Sequence, residues 1–128
     1  MSLLVKDLFN VSGKTALVTG GSRGIGEMIT SGFLANGAKV YITARKEEAL
    51  NLKAKELSDK YGVECVPFSG DLSSKEGIQQ LVEFINDAEP QGIDYLINNA
   101  GAAWGANYDD FPESGWDKVV DLNLKTPF

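Results

Sequence analysis

Short apolar runs alternate along this chain with longer segments whose apolar positions recur every three or four residues. Residues 15–19, Thr-Ala-Leu-Val-Thr, read as a buried strand that ends in a Gly/Ser cluster. Ile25, Met28, Ile29 and Phe33 then fall at helical spacing, and Gly37 stops that helix. A second strand is predicted at 39–43. Leu50, Ala54 and Leu57 mark the next helix, whose other face is rich in Lys and Glu. A third strand follows at 63–68. Ser73 and Glu76 form a capping-box pair opening a helix with Ile78, Leu81, Val82 and Ile85 on its inner face. Residues 93–97 are a fourth strand. A last helix, from Pro112 or Glu113, carries Trp116, Val119, Val120 and Leu124. Strands separated by helices run parallel, and right-handed crossovers build them into an α/β, Rossmann-type doubly wound sheet. Residues 1–128 are expected to form one such unit.

Composition narrows what this unit does. The chain has 128 residues, 43% hydrophobic and 23% charged, which is enough apolar material for a folded core and excludes a disordered reading. Its net charge of −6 repels phosphate backbones, so nucleic acid is not an expected partner. There is no histidine, which removes His-based metal sites and Ser-His-Asp or Cys-His catalysis. Cys65 is the single cysteine and cannot form an internal disulfide, which fits a reducing compartment. No stretch approaches the ~20 apolar residues of a membrane span. The Leu3-Leu4-Val5 run is too short for a secretory signal, and without one the Asn10-Val11-Ser12 sequon is a chance match. A cytoplasmic protein without membrane partners is expected.

In doubly wound sheets, ligands bind beyond the carboxyl ends of the strands. After the first strand comes Thr19-Gly20-Gly21-Ser22-Arg23-Gly24-Ile25-Gly26. Glycines let a backbone approach a pyrophosphate, and the helix N-terminus supplies amide donors and a positive dipole. The spacing is G-x-x-x-G-x-G and not GxGxxG. Gly13-Lys14-Thr15 is not a phosphate-binding P-loop, because position 8 is Leu and the triplet precedes its strand. After the second strand stands Thr43-Ala44-Arg45-Lys46, with no acidic residue before Glu47. A carboxylate there serves a ribose 2′-hydroxyl, whereas Arg45 and Arg23 suit a 2′-phosphate, so NADP is expected. The alternative is that Arg45 and Lys46 are ordinary surface residues. Asp71-Leu72 follows the third strand, either at an adenine edge or as a turn before Ser73. Asn98-Asn99-Ala100-Gly101 follows the fourth, where the amides can tie strand ends together. Helical spacing puts Asn123 on the apolar face with Val119 and Val120, as a buried amide in need of partners.

Thr19-Gly20-x3-Gly24-x-Gly26, Asp71-Leu72, Asn98-Asn99-Ala100-Gly101 and Asn123, in that order, resemble the short-chain dehydrogenase/reductase family from about Gly13 to the last residue. The resemblance implies an NADP-dependent oxidoreductase that passes a hydride to a ketone or 3-oxoacyl group. It implies Gly20, Ser22, Arg23, Gly24 and Ile25 around the phosphates and ribose, with Arg45 at the 2′-phosphate. It further implies Asp71 and Leu72 at the adenine, and Asn99, Ala100 and Gly101 at the adjoining ribose. Asn123 matches the Asn of the family's Asn-Ser-Tyr-Lys tetrad, a proton-relay position. A homo-oligomer acting on a small carbonyl substrate is expected by the same resemblance. One feature departs from it. The four tyrosines are followed four residues later by Arg45, Cys65, Asn99 and Pro112, so no Tyr-x-x-x-Lys is present. The chain therefore reads as the cofactor-binding half of such an enzyme, inactive alone, with the sheet truncated after its fourth strand and following helix. A non-catalytic NADP-binding or regulatory module, or a scaffold, are the alternatives.

Overall fold

A computed structural model describes residues 2–128. Its four strands are β1 (Thr15–Val18), β2 (Lys39–Ala44), β3 (Cys65–Ser69) and β4 (Tyr95–Ile97). All neighbours are parallel and the order is β3-β2-β1-β4, so the strand order reverses between β1 and β4. The helices are α1 (Val5–Leu8), α2 (Gly24–Ala35), α3 (Glu47–Tyr61), α4 (Lys75–Ala88) and α5 (Glu113–Val120), and α5 runs on into a π-helical turn at Asp121–Lys125. Strand alternation sends successive side chains to opposite faces, and each face has its own core. Ala16, Val18, Val40 and Ile42 pack with Leu34 of α2 and with Leu50, Ala54 and Leu57 of α3. Leu17 and Tyr41 face the other way, onto Leu72 and onto Leu81 and Ile85 of α4. The doubly wound expectation holds.

Three details differ from the periodicity. On α2 the buried positions are Gly26, Thr30 and Leu34, while Ile25 and Met28 are 70% and 73% exposed. Gly26 and Thr30 let the start of the helix approach the glycine turn, while Ile29 and Phe33 of the predicted stripe, with Leu34, pack against the core further along. Ser74, not Ser73, caps α4, its hydroxyl accepting from the Gly77 amide at 3.1 Å; Ser73 bonds to Asp71 instead. On α4 only Leu81 and Ile85 of the predicted stripe are fully buried, with Ile78 partly so and Val82 half exposed. Cys65 is 5% exposed, and burial pushes its thiol up to about 12, so it is an inert core residue.

Candidate functional site

The glycine turn is held by hydrogen bonds from its flanking strands. The Thr19 hydroxyl accepts from the amides of Asn99 and Ala100, both at 3.0 Å, which locks the end of β4 to the end of β1. The Asn99 side chain returns the link, Nδ2 donating to the carbonyls of Thr19 at 3.0 Å and Gly20 at 3.2 Å. The expected tie between strand ends is therefore made by Asn99. Gly20 turns the chain with φ +66° while its amide donates to Thr43 Oγ1 at 3.1 Å. Gly26 then brings α2 against the turn so closely that a Cβ there would stand 2.0 Å from the Gly20 carbonyl oxygen. The N-cap of α2 is Arg23, which makes no side-chain cap. The first-turn amides are thus left for another acceptor, at the positive end of the helix dipole.

Beyond these strand ends lies a cleft of about 820 Å³. Its wall includes Gly20, Ser22, Arg23 and Ile25 from the turn, Arg45 after β2, Asp71 and Leu72 after β3, and Asn99, Ala100 and Gly101 after β4. Of the predicted binding residues only Gly24 is missing from the wall; it opens α2. Four cations, Arg23, Arg45, Lys46 and Lys118, share this wall with one carboxylate, Asp71, in a chain of net charge −6. The local field therefore favours an anion against the sign of the whole. Asp71 Oδ1 accepts from the Ser73 hydroxyl at 2.7 Å and the Ser73 amide at 3.0 Å. These bonds, with the Arg45 charge, hold its carboxyl below the usual range. The turn role of Asp71 is thus realised, within the cleft wall.

Asn123 stands differently from the reading of α5. It is exposed and outside the cleft wall, and the π-helical turn takes it off the face implied by regular spacing. Trp116 and Leu124, also carried by this helix, are 63% and 66% exposed. The Asn123 amide is nonetheless fully engaged. Its Oδ1 accepts from the Ala102 amide at 2.7 Å and its Nδ2 donates to the Ala102 carbonyl at 2.9 Å. Asn123 thereby fixes the segment that continues the cleft wall past Gly101. Thr126, at the far end of the π turn, hydrogen-bonds the Leu72 carbonyl and so braces the opposite wall. Thr43, Lys46, Ser73, Lys118 and Leu122 also line the cleft, though none of them is among the predicted binding residues. Position was a signal for Thr43 and Lys46, which stand in the same strand-end segment as Arg45. None marked Lys118, whose ammonium lies 5.2 Å over the Trp104 ring.

A parallel sheet in the order 3-2-1-4, with a glycine turn and an anion-favouring cleft at its switch point, defines a Rossmann-type nucleotide-binding class. Comparison with known proteins narrows the class. Residues 14–128 match the family model described as short chain dehydrogenase, and the chain belongs to that family. It is 46% identical over 120 residues to the rhamnolipids biosynthesis 3-oxoacyl-[acyl-carrier-protein] reductase of Pseudomonas aeruginosa, covering 94% of this chain and 46% of the reductase. The structure superposes on the Pseudomonas aeruginosa RhlG/NADP active-site complex with TM-score 0.87, at 46% identity over the same shares of the two chains. On L-sorbose reductase from Gluconobacter frateurii, complexed with NADPH and L-sorbose, the TM-score is 0.86 at 32% identity, covering 91% of this chain and 44% of that one. The chain thus spans about half the length of these relatives.

Proposed function

We propose that these residues form the cofactor-binding portion of an NADP(H)-dependent oxidoreductase that reduces a ketone, of which a 3-oxoacyl group is one candidate. The observation that carries the reading is the presence of Arg23 and Arg45 in the same cleft wall as the glycine turn. The site suits the cofactor on its own terms. The turn exposes uncapped helix amides to a pyrophosphate, Gly26 leaves no room for a side chain beneath it, and two guanidiniums offer paired donors to a 2′-phosphate. When bound, NADPH supplies a hydride. The residues here bind and orient: Gly20, Ser22, Gly24 and Ile25 hold the phosphates and ribose, Arg23 and Arg45 the 2′-phosphate. Asp71 and Leu72 border the adenine, and Asn99, Ala100 and Gly101 the adjoining ribose. The NADP and NADPH complexes of the structural relatives support this assignment. Asn123 is assigned to holding the wall through Ala102 and, by family position, to the proton relay.

No tyrosine here is followed by a lysine four residues on, so ketone reduction by this chain alone is not expected. Titration with NADPH and NADH tests the reading. NADPH binds more tightly, and Arg45→Ala lowers its affinity about tenfold or more while leaving NADH nearly unchanged, since a bond to a charged group contributes about 1.5–3 kcal/mol. Equal affinities for the two nucleotides in the parent protein overturn the NADP assignment. Ketone-dependent NADPH oxidation by these residues alone overturns the division of labour.

A further inference from the structure

Three threonines are buried, Thr19, Thr30 and Thr43. A hydroxyl carries one hydrogen to donate and two lone pairs to accept with. Thr30 donates its hydrogen to the Gly21 carbonyl at 3.1 Å. Thr19 accepts two amides and donates to the Ile97 carbonyl at 3.4 Å. Thr43 differs from both. It accepts the Gly20 amide at 3.1 Å, but among the described residues its own O–H meets no acceptor. It is 2% exposed, and of the three it alone lines the cleft.

A buried donor left without a partner costs about 1–3 kcal/mol. Because Thr43 lines the cleft, a group bound there can take that hydrogen. The Gly20 amide occupies one lone pair and fixes where the oxygen sits, directly beside the glycine turn. Arg45, two residues further on, lines the same wall. We propose that Thr43 is a further nucleotide-binding residue, its hydroxyl donating to an oxygen at the adenosine end of the ligand. That oxygen belongs to a ribose hydroxyl or to the 2′-phosphate. The proposal rests on the cofactor reading above.

The test compares Thr43→Val and Thr43→Ser with the parent protein, by titration with NADPH and NADH and by thermal melting of the ligand-free proteins. Thr43→Ser keeps both the acceptor for Gly20 and the donor, and is expected to bind as the parent does. Thr43→Val is expected to lose about fivefold to tenfold in NADPH affinity, the size of one hydrogen bond. Loss for NADPH with NADH unchanged identifies the 2′-phosphate as the acceptor. Loss for both nucleotides at an unchanged melting temperature identifies a ribose oxygen. Loss for both with a matching fall in melting temperature assigns Thr43 to support of the turn alone and overturns the proposal. So does unchanged affinity in Thr43→Val. If the parent protein binds neither nucleotide, the cofactor reading fails and Thr43's role fails with it; parent binding that is insensitive to Thr43→Val overturns Thr43 alone.

Discussion

The two sides of β1 are built on different principles. Toward β2 and β3 the sheet closes a core with helices α2 and α3: Ala16, Val18, Val40 and Ile42 are fully buried, and Leu34, Leu50, Ala54 and Leu57 are at most 2% exposed. Toward β4 the covering is partial: Tyr95 and Ile97 pack against the same core but are only partly buried, and other apolar side chains stay open to solvent. Leu96 is 56% exposed, Trp116 63% and Leu124 66%. Beside the sheet pairing and this partial packing, polar side chains attach this side. Asp94 Oδ2 accepts from the Thr15 amide at 2.9 Å, Asn99 grips Thr19 and Gly20, Asn123 grips Ala102, and Thr126 grips Leu72. One flank thus derives its stability from burial, the other its geometry from directional bonds. The cleft opens where the two meet.

The largest expected effect separates the flanks by the same substitution. Leu57→Ala removes a side chain that is 1% exposed and is expected to destabilise by about 3 kcal/mol, from lost transfer energy and an unfilled cavity. Leu96→Ala, at a half-exposed position on the β4 flank, is expected to stay within about 0.5–1 kcal/mol. Chemical denaturation of both variants checks this. Similar losses at the two positions would show that β4 shares the buried core after all.

The polar flank has its own, smaller signature. Asn99→Ala deletes the donors to Thr19 and Gly20 and is expected to cost about 1–2 kcal/mol. It is also expected to weaken NADPH binding, because the turn carrying Ser22 and Arg23 loses its brace. Asn123→Ala, at an exposed position, is expected to cost about 1 kcal/mol while leaving the Leu57 side of the sheet unchanged. Denaturation midpoints and NADPH titration read the two effects separately. An Asn123→Ala protein with unaltered stability and affinity would remove its role as a brace.

The same division explains what was legible in the sequence. The burial flank announces itself through apolar periodicity, as Leu50, Ala54 and Leu57 on α3 and the run Val40-Tyr41-Ile42 on β2 did. The order of elements then follows from parallel pairing. Periodicity misleads where close approach replaces bulk. On α2 it selected Ile29 and Phe33, which do pack on the core, but also Ile25 and Met28, which face solvent because Gly26 and Thr30 make the buried side near the turn. On α5 it assumed a regular helix, whereas the π turn at Asp121–Lys125 carries Asn123 to Ala102. Spacing also could not choose between Ser73 and Ser74, since each can cap a helix and Asp71 decides by engaging Ser73. The glycine turn and the residues after each strand were legible because topology alone assigns them to the ligand edge. Lys118 was not, because only the folding of α5 toward the cleft brings it into the wall.

The smallest effect is the sharpest test of the directional flank. Asp94 immediately precedes β4, its carboxylate accepting the Thr15 amide and pairing with Lys14 at 3.1 Å. The Thr15 amide first, and the Lys14 ammonium with it, hold this carboxyl below its usual range. A carboxyl depressed in the folded state stabilises it at pH values above the unfolded pKa. That contribution is lost as pH falls through the folded value. Acidification below about pH 4 is therefore expected to raise hydrogen exchange at the β1–β4 pairing before it does so at the β1–β2 pairing, where the burial of Val40, Tyr41 and Ile42 holds β2 even as Glu89 beside Lys39 and Tyr41 is protonated. Asp94→Asn keeps an oxygen for the Thr15 amide but cannot titrate, so its β4 amides are expected to exchange alike on either side of that pH. Amide protection factors followed by NMR decide the matter. Simultaneous opening of both pairings in the parent protein would mean that β4 is held by the common core and not by its polar anchors.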